Sequence, residues 1–292
     1  MYLEHHGILG QKWGVRRYQN KDGSLTDLGR KRYYRKQYVN DDMTLTDKGR
    51  KAFDKAIDNM SKRAGYYRDW DNPEHMTEDE KAAKEFDKTG VIPKGTKAYR
   101  TARVEDKLDE NRKYVSFTEQ GKNDYENQFS EFGLGGWQDK GFDEMRDALR
   151  NKGYDTITYK TAKDLKVATT AQVEDFIASQ QLDSKSYKSM LQDLRRFENG
   201  YHWNPPENKV EKLALEYVRQ GHNMVYKANK EALFKTKFDE DNPTFKHFKD
   251  LGYDAISDVE DGGLGADIGW APAIILNPKE SLVEIEREHH DW

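Results

Sequence analysis

Cysteine is absent from the 292 residues. That excludes a disulfide framework, a thiolate nucleophile and any Cys-ligated zinc or iron-sulfur site, and leaves oxygen and imidazole chemistry. Large apolar side chains are scarce: Leu, Ile, Val and Phe together number 53, a level at which disorder competes with folding. Long apolar runs are missing too. Nothing approaches the ~18 consecutive apolar residues of a spanning helix, and Met1 to Gly7 lacks the apolar stretch of a signal peptide. The expectation is a protein made and kept in the cytoplasm, or packed into something assembled there, with no membrane contact. Against disorder stand an aromatic content of 12% and a formal net charge of only -4. Small compact cores separated by highly charged helices are expected.

Charge is distributed unevenly. Residues 1 to 50 carry 11 Lys or Arg against 6 Asp or Glu, a net of +5, and residues 51 to 292 carry 38 against 47, a net of -9. A basic arm on an acidic body points to a separate binding role for the arm, with nucleic acid, DNA first, or another anionic surface as partner.

The arm contains a repeat. Residues 18 to 33, YQNKDGSLTDLGRKRY, and 38 to 53, YVNDDMTLTDKGRKAF, match at nine of 16 positions with a 20-residue spacing. In each, Asp-Gly or Asp-Asp makes a turn, a Leu anchors an apolar contact, and Thr26 or Thr46 caps a short helix whose first turn carries Asp27 or Asp47. Such a unit cannot bury its few apolar groups alone, so the copies are expected to stack or to dock on one larger partner.

Before the repeat, residues 3 to 20 read LEHHGILGQKWGVRRYQN. Gly7, Gly10 and Gly14 oppose a stable helix, while Leu3, Ile8, Leu9, Trp13 and Val15 are too apolar for a simple tail. The pattern is that of a docking peptide. His5 and His6 are adjacent and point apart, so no metal site is expected on them. This string, followed by DGSLTDLGRKRY, resembles the N-terminal segment of proteins encoded among the head and structural genes of tailed bacteriophages of Gram-positive hosts. The match covers about residues 2 to 33. The resemblance implies a transferable address for the virion, with capsid or other virion proteins as partners and the virion, or the host cytoplasm during assembly, as location. The candidate docking residues are His5, His6, Gly7, Gln11, Lys12, Trp13, Gly14, Arg16, Arg17 and Tyr18.

Residues 47 to 67 carry Phe53, Ile57, Met60 and Ala64 at helical spacing, and Thr77 with Glu80 forms a capping box for a second helix ending near Gly90. Beyond Gly90 the texture changes to short strands, expected at 96 to 102 and 112 to 118, each with one buried face. Two segments echo each other, 145 to 159 and 245 to 258, each reading as helix, Gly C-cap, strand. Trp270 to Pro278 reads as a central strand and Leu282 to Glu286 as an edge strand. Helices are expected across 170 to 221, the third starting at Asn204-Pro205-Pro206. The expected architecture is α+β: a docking segment at 1–36, a helical linker region at 37–90, and an α+β domain at 91–292 with a helical insertion at about 170–221.

Tyr99-Arg100 on one strand, Ser116-Phe117-Thr118 on another and an acidic loop before a C-terminal strand resemble the Arg, Ser-x-Thr and Glu layout of mono-ADP-ribosyltransferases. The resemblance implies NAD as cofactor, Arg100 gripping its phosphate, Ser116 shaping the pocket, and Glu260 stabilising the ribosyl cation, with Glu284 and Glu286 as alternatives. No carboxylate occupies residues 269 to 273, where that family's Glu-x-Glu would be expected. If the resemblance holds, Arg100 and Ser116 should face one cleft. Asp258, Glu260, Asp261 and Asp267 are hard oxygen ligands without calcium-loop spacing, residues 132 to 137 fail as a dinucleotide fingerprint, and no metal is expected. The first expectation is a virion-associated phage protein with a binding or structural C-terminal domain; the alternatives are a transferase-like effector acting on host components and a nucleic-acid-binding head protein.

Overall fold

The computed structural model describes residues 18–20, 24–64, 76–104, 113–134, 147, 151–198, 205–234, 242–259, 268 and 272–291. Its elements are α1 (Asp27–Lys36), α2 (Asp47–Ala64), α3 (Glu78–Thr89), β1 (Val91–Ile92), β2 (Lys97–Arg103), β3 (Lys113–Val115), α4 (Glu119–Leu134), β4 (Tyr154–Thr161), β5 (Leu165–Ala168), α5 (Thr170–Ser179), α6 (Ser184–Glu198), α7 (Lys209–Asn229), a π-turn (Lys230–Phe234), α8 (Pro243–Asp250), β6 (Ala255–Ser257), β7 (Ala273–Ile275), α9 (Pro278–Ser281) and β8 (Leu282–His290). The class is α+β.

Five strands run in the order β1-β5-β6-β7-β3 and three in the order β2-β4-β8. Only β5 and β6 are parallel, joined by the long crossover that contains α5 to α8. Alternation along the short central strands feeds two cores. Leu165, Val167, Ala255, Ala273 and Ile275 face one side, with Ile157, Tyr159, Phe117 and Phe86. Ala168, Ile256 and Ile274 face the other, beneath Val173, Ile177, Phe245 and Phe248. Because both faces are covered, these strands are apolar at every position rather than at every second one.

A third core is all-helical. Phe53, Ile57 and Met60 of α2 pack against Leu191, Leu194 and Phe197 of α6 and Leu213, Tyr217 and Val218 of α7. Helix α3 instead sits over the sheets, giving Ala83 and Phe86 to the inter-sheet core.

Several expectations hold. The Thr77–Glu80 capping box closes the start of α3, and Gly90 ends it in the left-handed conformation. Gly153 and Gly252 both have positive φ (69° and 73°) and precede β4 and β6, so the echoed segments share their turn. Strand β8 lies at a sheet edge. Four expectations need correction. Strand β2 is not half-exposed: Ala98, Tyr99, Thr101 and Ala102 are all buried, since α4 covers one face and the second sheet the other. Helix α7 starts at Lys209, capped by Asn208, because that Asn side chain satisfies two orphan amides whereas Pro205 and Pro206 have none to offer. The insertion's helices run past 221 to Asn229. Strand β5 was not expected at all; its four residues follow a polar turn and show no alternation long enough to read.

Candidate functional site

The two repeat units adopt the same local structure. In the first, Gln19 bridges Leu25, the Asn20 amide donates to Ser24 O (2.7 Å) and the Thr26 amide to Tyr18 O (3.1 Å). In the second, Val39 bridges Leu45, the Asn40 amide donates to Thr44 O (2.9 Å) and the Thr46 amide to Tyr38 O (3.0 Å). Each Thr hydroxyl then accepts from a helical amide, Gly29 to Thr26 at 3.0 Å and Gly49 to Thr46 at 2.9 Å. The glycine is required by close approach: a Cβ on Gly29 would stand 2.0 Å from Tyr18 O, and one on Gly49 1.9 Å from Tyr38 O. The shared N-x-D-x-x-L-T-D-x-G-R-K string is thus a small hairpin folded onto a helix start. The helices are longer than the one or two turns expected, ten residues for α1 and 18 for α2.

What covers the units differs. In the second, Phe53 is fully buried, 5.6 Å from Tyr217 and 6.5 Å from Phe197 between ring centroids. Arg50 grips buried Asp193 through two hydrogen bonds of 3.0 and 3.2 Å. In the first, the matching Tyr33 is 53% exposed, as is Leu28. Arg30, matching Arg50, turns back onto its own unit, bonded to Leu25 O at 2.9 Å and to Asp27.

Helix α1 also lines a groove of about 1050 Å³ against the start of α7. Arg30, Lys31, Arg32, Arg35, Lys36, Lys209 and Lys212 supply seven cations against Asp27, Asp41 and Glu216. Part of this charge is already engaged: Lys36 with Asp41 (2.7 Å), Arg35 with Gln220 (2.8 Å), and Arg32 over the Tyr18 ring at 4.6 Å. Tyr18 is the one candidate docking residue among those described; His5, His6, Gly7, Gln11, Lys12, Trp13, Gly14, Arg16 and Arg17 lie outside the described residues.

The transferase-like residues are not brought together. Tyr99 and Ser116 exchange both backbone hydrogen bonds, at 2.8 and 2.9 Å, so they are directly opposed and share a face. Arg100, the next residue, faces the other way. The expectation of one cleft for Arg100 and Ser116 therefore fails on the pleat. Helix α4 covers the Ser116 side: the Thr118 amide donates to Ser116 Oγ at 3.2 Å, and a Cβ on Gly121 would lie 2.0 Å from that oxygen. Tyr99 donates its hydroxyl to Glu119 at 2.6 Å; burial, reinforced by that carboxylate, raises its pKa. Ser116 thus helps begin a helix. On the opposite face Arg100 pairs in register with Ile157, and its buried Nε has no hydrogen-bond partner.

Nor do the described glutamates complete a site. Arg287 engages both oxygens of Glu284, each at 2.8 Å, and those hydrogen bonds hold the carboxyl below its usual range. Glu286 is paired with Thr158, in a row with Tyr99 and Ser116 but three strand spacings, ~14 Å, from Ser116. Glu260 lies outside the described residues. These residues do not fit NAD as that family holds it, and no step through it is derived.

One cluster was not legible beforehand. Asp155 on β4 is buried and receives hydrogen bonds from Arg287 (2.8 Å) and His289 (2.9 Å) on β8. Burial alone would raise the Asp155 carboxyl, but these donors outweigh it and its pKa is lowered; the Asp155 hydrogen bond in turn raises His289. His290 stacks on Tyr154 at 4.7 Å and reaches Thr156 at 3.0 Å, so the terminal histidines, expected to be free in solvent, pin β8 to β4. Among the described residues no group of three His, Asp or Glu could hold a metal ion, and no helix is long and apolar enough to cross a membrane. No family model, no curated protein and no solved structure matches the chain.

Proposed function

We propose that this is a virion-associated protein of a tailed phage, in which the N-terminal segment through the first repeat unit docks on capsid or other virion proteins and the α+β body serves in binding or structure. The observation that carries the docking role is the contrast within the repeat: the second unit is seated on a helical surface through Phe53 and Arg50, and the first holds Tyr33 and Leu28 open to solvent. The resemblance of residues 2 to 33 to phage head-region proteins supplies the setting, the virion or the host cytoplasm during assembly. The body is read as non-catalytic because Arg100 and Ser116 lie on opposite faces and Arg287 occupies Glu284. Deleting residues 1 to 36 should lower copurification with assembled particles at least tenfold; unchanged incorporation overturns the reading. Nicotinamide release from NAD by the purified chain, abolished by Arg100→Ala, would restore the transferase-like effector instead.

A second reading, a nucleic-acid-binding head protein, is favoured by the cation excess of the α1–α7 groove. Duplex DNA seated there would show a log–log salt slope of about -3 to -4 if four phosphates are neutralised, and Lys209→Glu with Lys212→Glu should flatten it. Absence of retention at low salt removes this reading.

A further inference from the structure

We infer that the first repeat unit is a vacant copy of the second, and that its partner is a helical pair presenting a recessed carboxylate one turn before an aromatic ring, with a second ring from the neighbouring helix. The inference rests on the docking role proposed for the arm and specifies the chemistry of what it docks on.

The second unit displays that chemistry within the chain. Its Arg50 reaches Asp193 of α6, whose side chain is only 4% exposed. Phe197 follows one turn later on the same helix, and Tyr217 comes from α7, so Phe53 inserts into an aromatic corner formed by two helices. The guanidinium gives a two-point grip on a carboxylate that would otherwise be buried without a partner, and the ring excludes water around it. The first unit carries the same two groups in the same frame. Thr26 and Thr46 start the two helices through identical hydrogen bonds, so Arg30 and Tyr33 stand on α1 where Arg50 and Phe53 stand on α2. Both are exposed, and the Asp27 that holds Arg30 is a surface partner that a buried carboxylate can outcompete. Tyr33 differs from Phe53 by a hydroxyl, so the receiving corner must also offer an acceptor.

The α6–α7 surface of a second copy does not suit, because its own Phe53 and Arg50 fill it; exchange would first require pulling residues 38 to 53 out of the helical core. The partner is therefore another protein of the particle.

The test uses the full chain with benzoylphenylalanine in place of Tyr33, irradiated in assembled particles, and with the crosslinked peptide sequenced. The expected product is a helical peptide of another virion protein with Asp or Glu within one turn of an aromatic. Arg30→Glu and Tyr33→Ala should each lower incorporation about tenfold to a hundredfold while leaving the circular-dichroism melt unchanged, and exchanging the partner's carboxylate for Arg should rescue Arg30→Glu. A crosslink to nucleic acid, to a non-helical peptide or to α6–α7 of another copy overturns the inference, as does the absence of any crosslink. If deletion of residues 1 to 36 abolishes incorporation but Arg30→Glu and Tyr33→Ala do not, the address lies before residue 18 and this inference fails while the docking role stands. If the deletion itself is without effect, the docking role fails.

Discussion

Two stretches sharing nine of 16 residues fold into the same hairpin-and-helix unit and yet live in different surroundings. Tyr38, Val39, Leu45 and Phe53 of the second unit are all buried, whereas Tyr33 and Leu28 of the first are both 53% exposed. The positions common to both, Asn, Asp, Leu, Thr and Gly, make the unit's own hydrogen bonds. The positions that differ decide what covers it. The second helix continues with Ala56, Ile57 and Met60, which enter the helical core; at the matching places the first has Lys36, Gln37 and Asn40, which leave it on the surface. Local architecture and docking are therefore written in separate residues of one short string.

The sharpest way to break this comparison is paired truncation. Phe53→Ala should cost ~3–5 kcal/mol, since the side chain is fully buried among other rings, while Tyr33→Ala should cost under ~0.5 kcal/mol as an exposed substitution. Urea melts of the two variants read the difference directly, and equal losses would contradict it. The glycines come next. Gly49→Ala would force a Cβ to 1.9 Å from Tyr38 O and should cost ~1–3 kcal/mol in the same melt. Gly29→Ala meets the same obstacle at 2.0 Å, but should fray only its own unit, visible as lost amide protection from 24 to 36 with the midpoint unmoved. The third pair is electrostatic. Arg50→Ala leaves buried Asp193 with Arg196 at 3.1 Å as its remaining printed ion pair and should cost ~1–3 kcal/mol; Arg30→Ala removes a surface pair and should change stability by less than ~0.5 kcal/mol.

Much of this was legible beforehand because it depends on neighbours in sequence. The repeat, the Thr77–Glu80 box, the Gly C-caps and the Phe53–Ile57–Met60 stripe all announce themselves through short spacings. What escaped depends on long-range pairing. Which face Arg100 takes follows from the register of Tyr99 against Ser116, and a shift of one residue would reverse it. Likewise, nothing local marks Asp155 as the partner of His289, 134 residues away. The start of α7 was misplaced because Pro205 and Pro206 signal a helix beginning as strongly as Asn208 does, and only the cap hydrogen bonds decide.

A smaller effect contrasts the repeat with the far end of the chain, where charge rather than shape pins an element. The His289 pKa is raised by Asp155, so its contribution is full below its ordinary value of about 6.5 and is lost as pH rises through the higher folded value. The Asp155 pKa is lowered, so its contribution is present above about 3.9 and is lost as pH falls through the lower folded value. The grip on β8 should thus be firmest between about pH 4 and 6.5. Amide exchange of residues 286 to 290, corrected for intrinsic rates, should quicken above that window, and His289→Gln should flatten the alkaline limb.

The account turns on the two units being alike in structure and unlike in occupancy, and amide exchange at the capped glycines tests this most directly. In the free chain the Gly49 amide should open only with the helical core, while the Gly29 amide, with the same hydrogen bond to its threonine, should exchange orders of magnitude faster; in assembled particles the Gly29 amide should slow toward the Gly49 rate. Equal protection in the free chain, or no slowing of Gly29 in the particle, would contradict it.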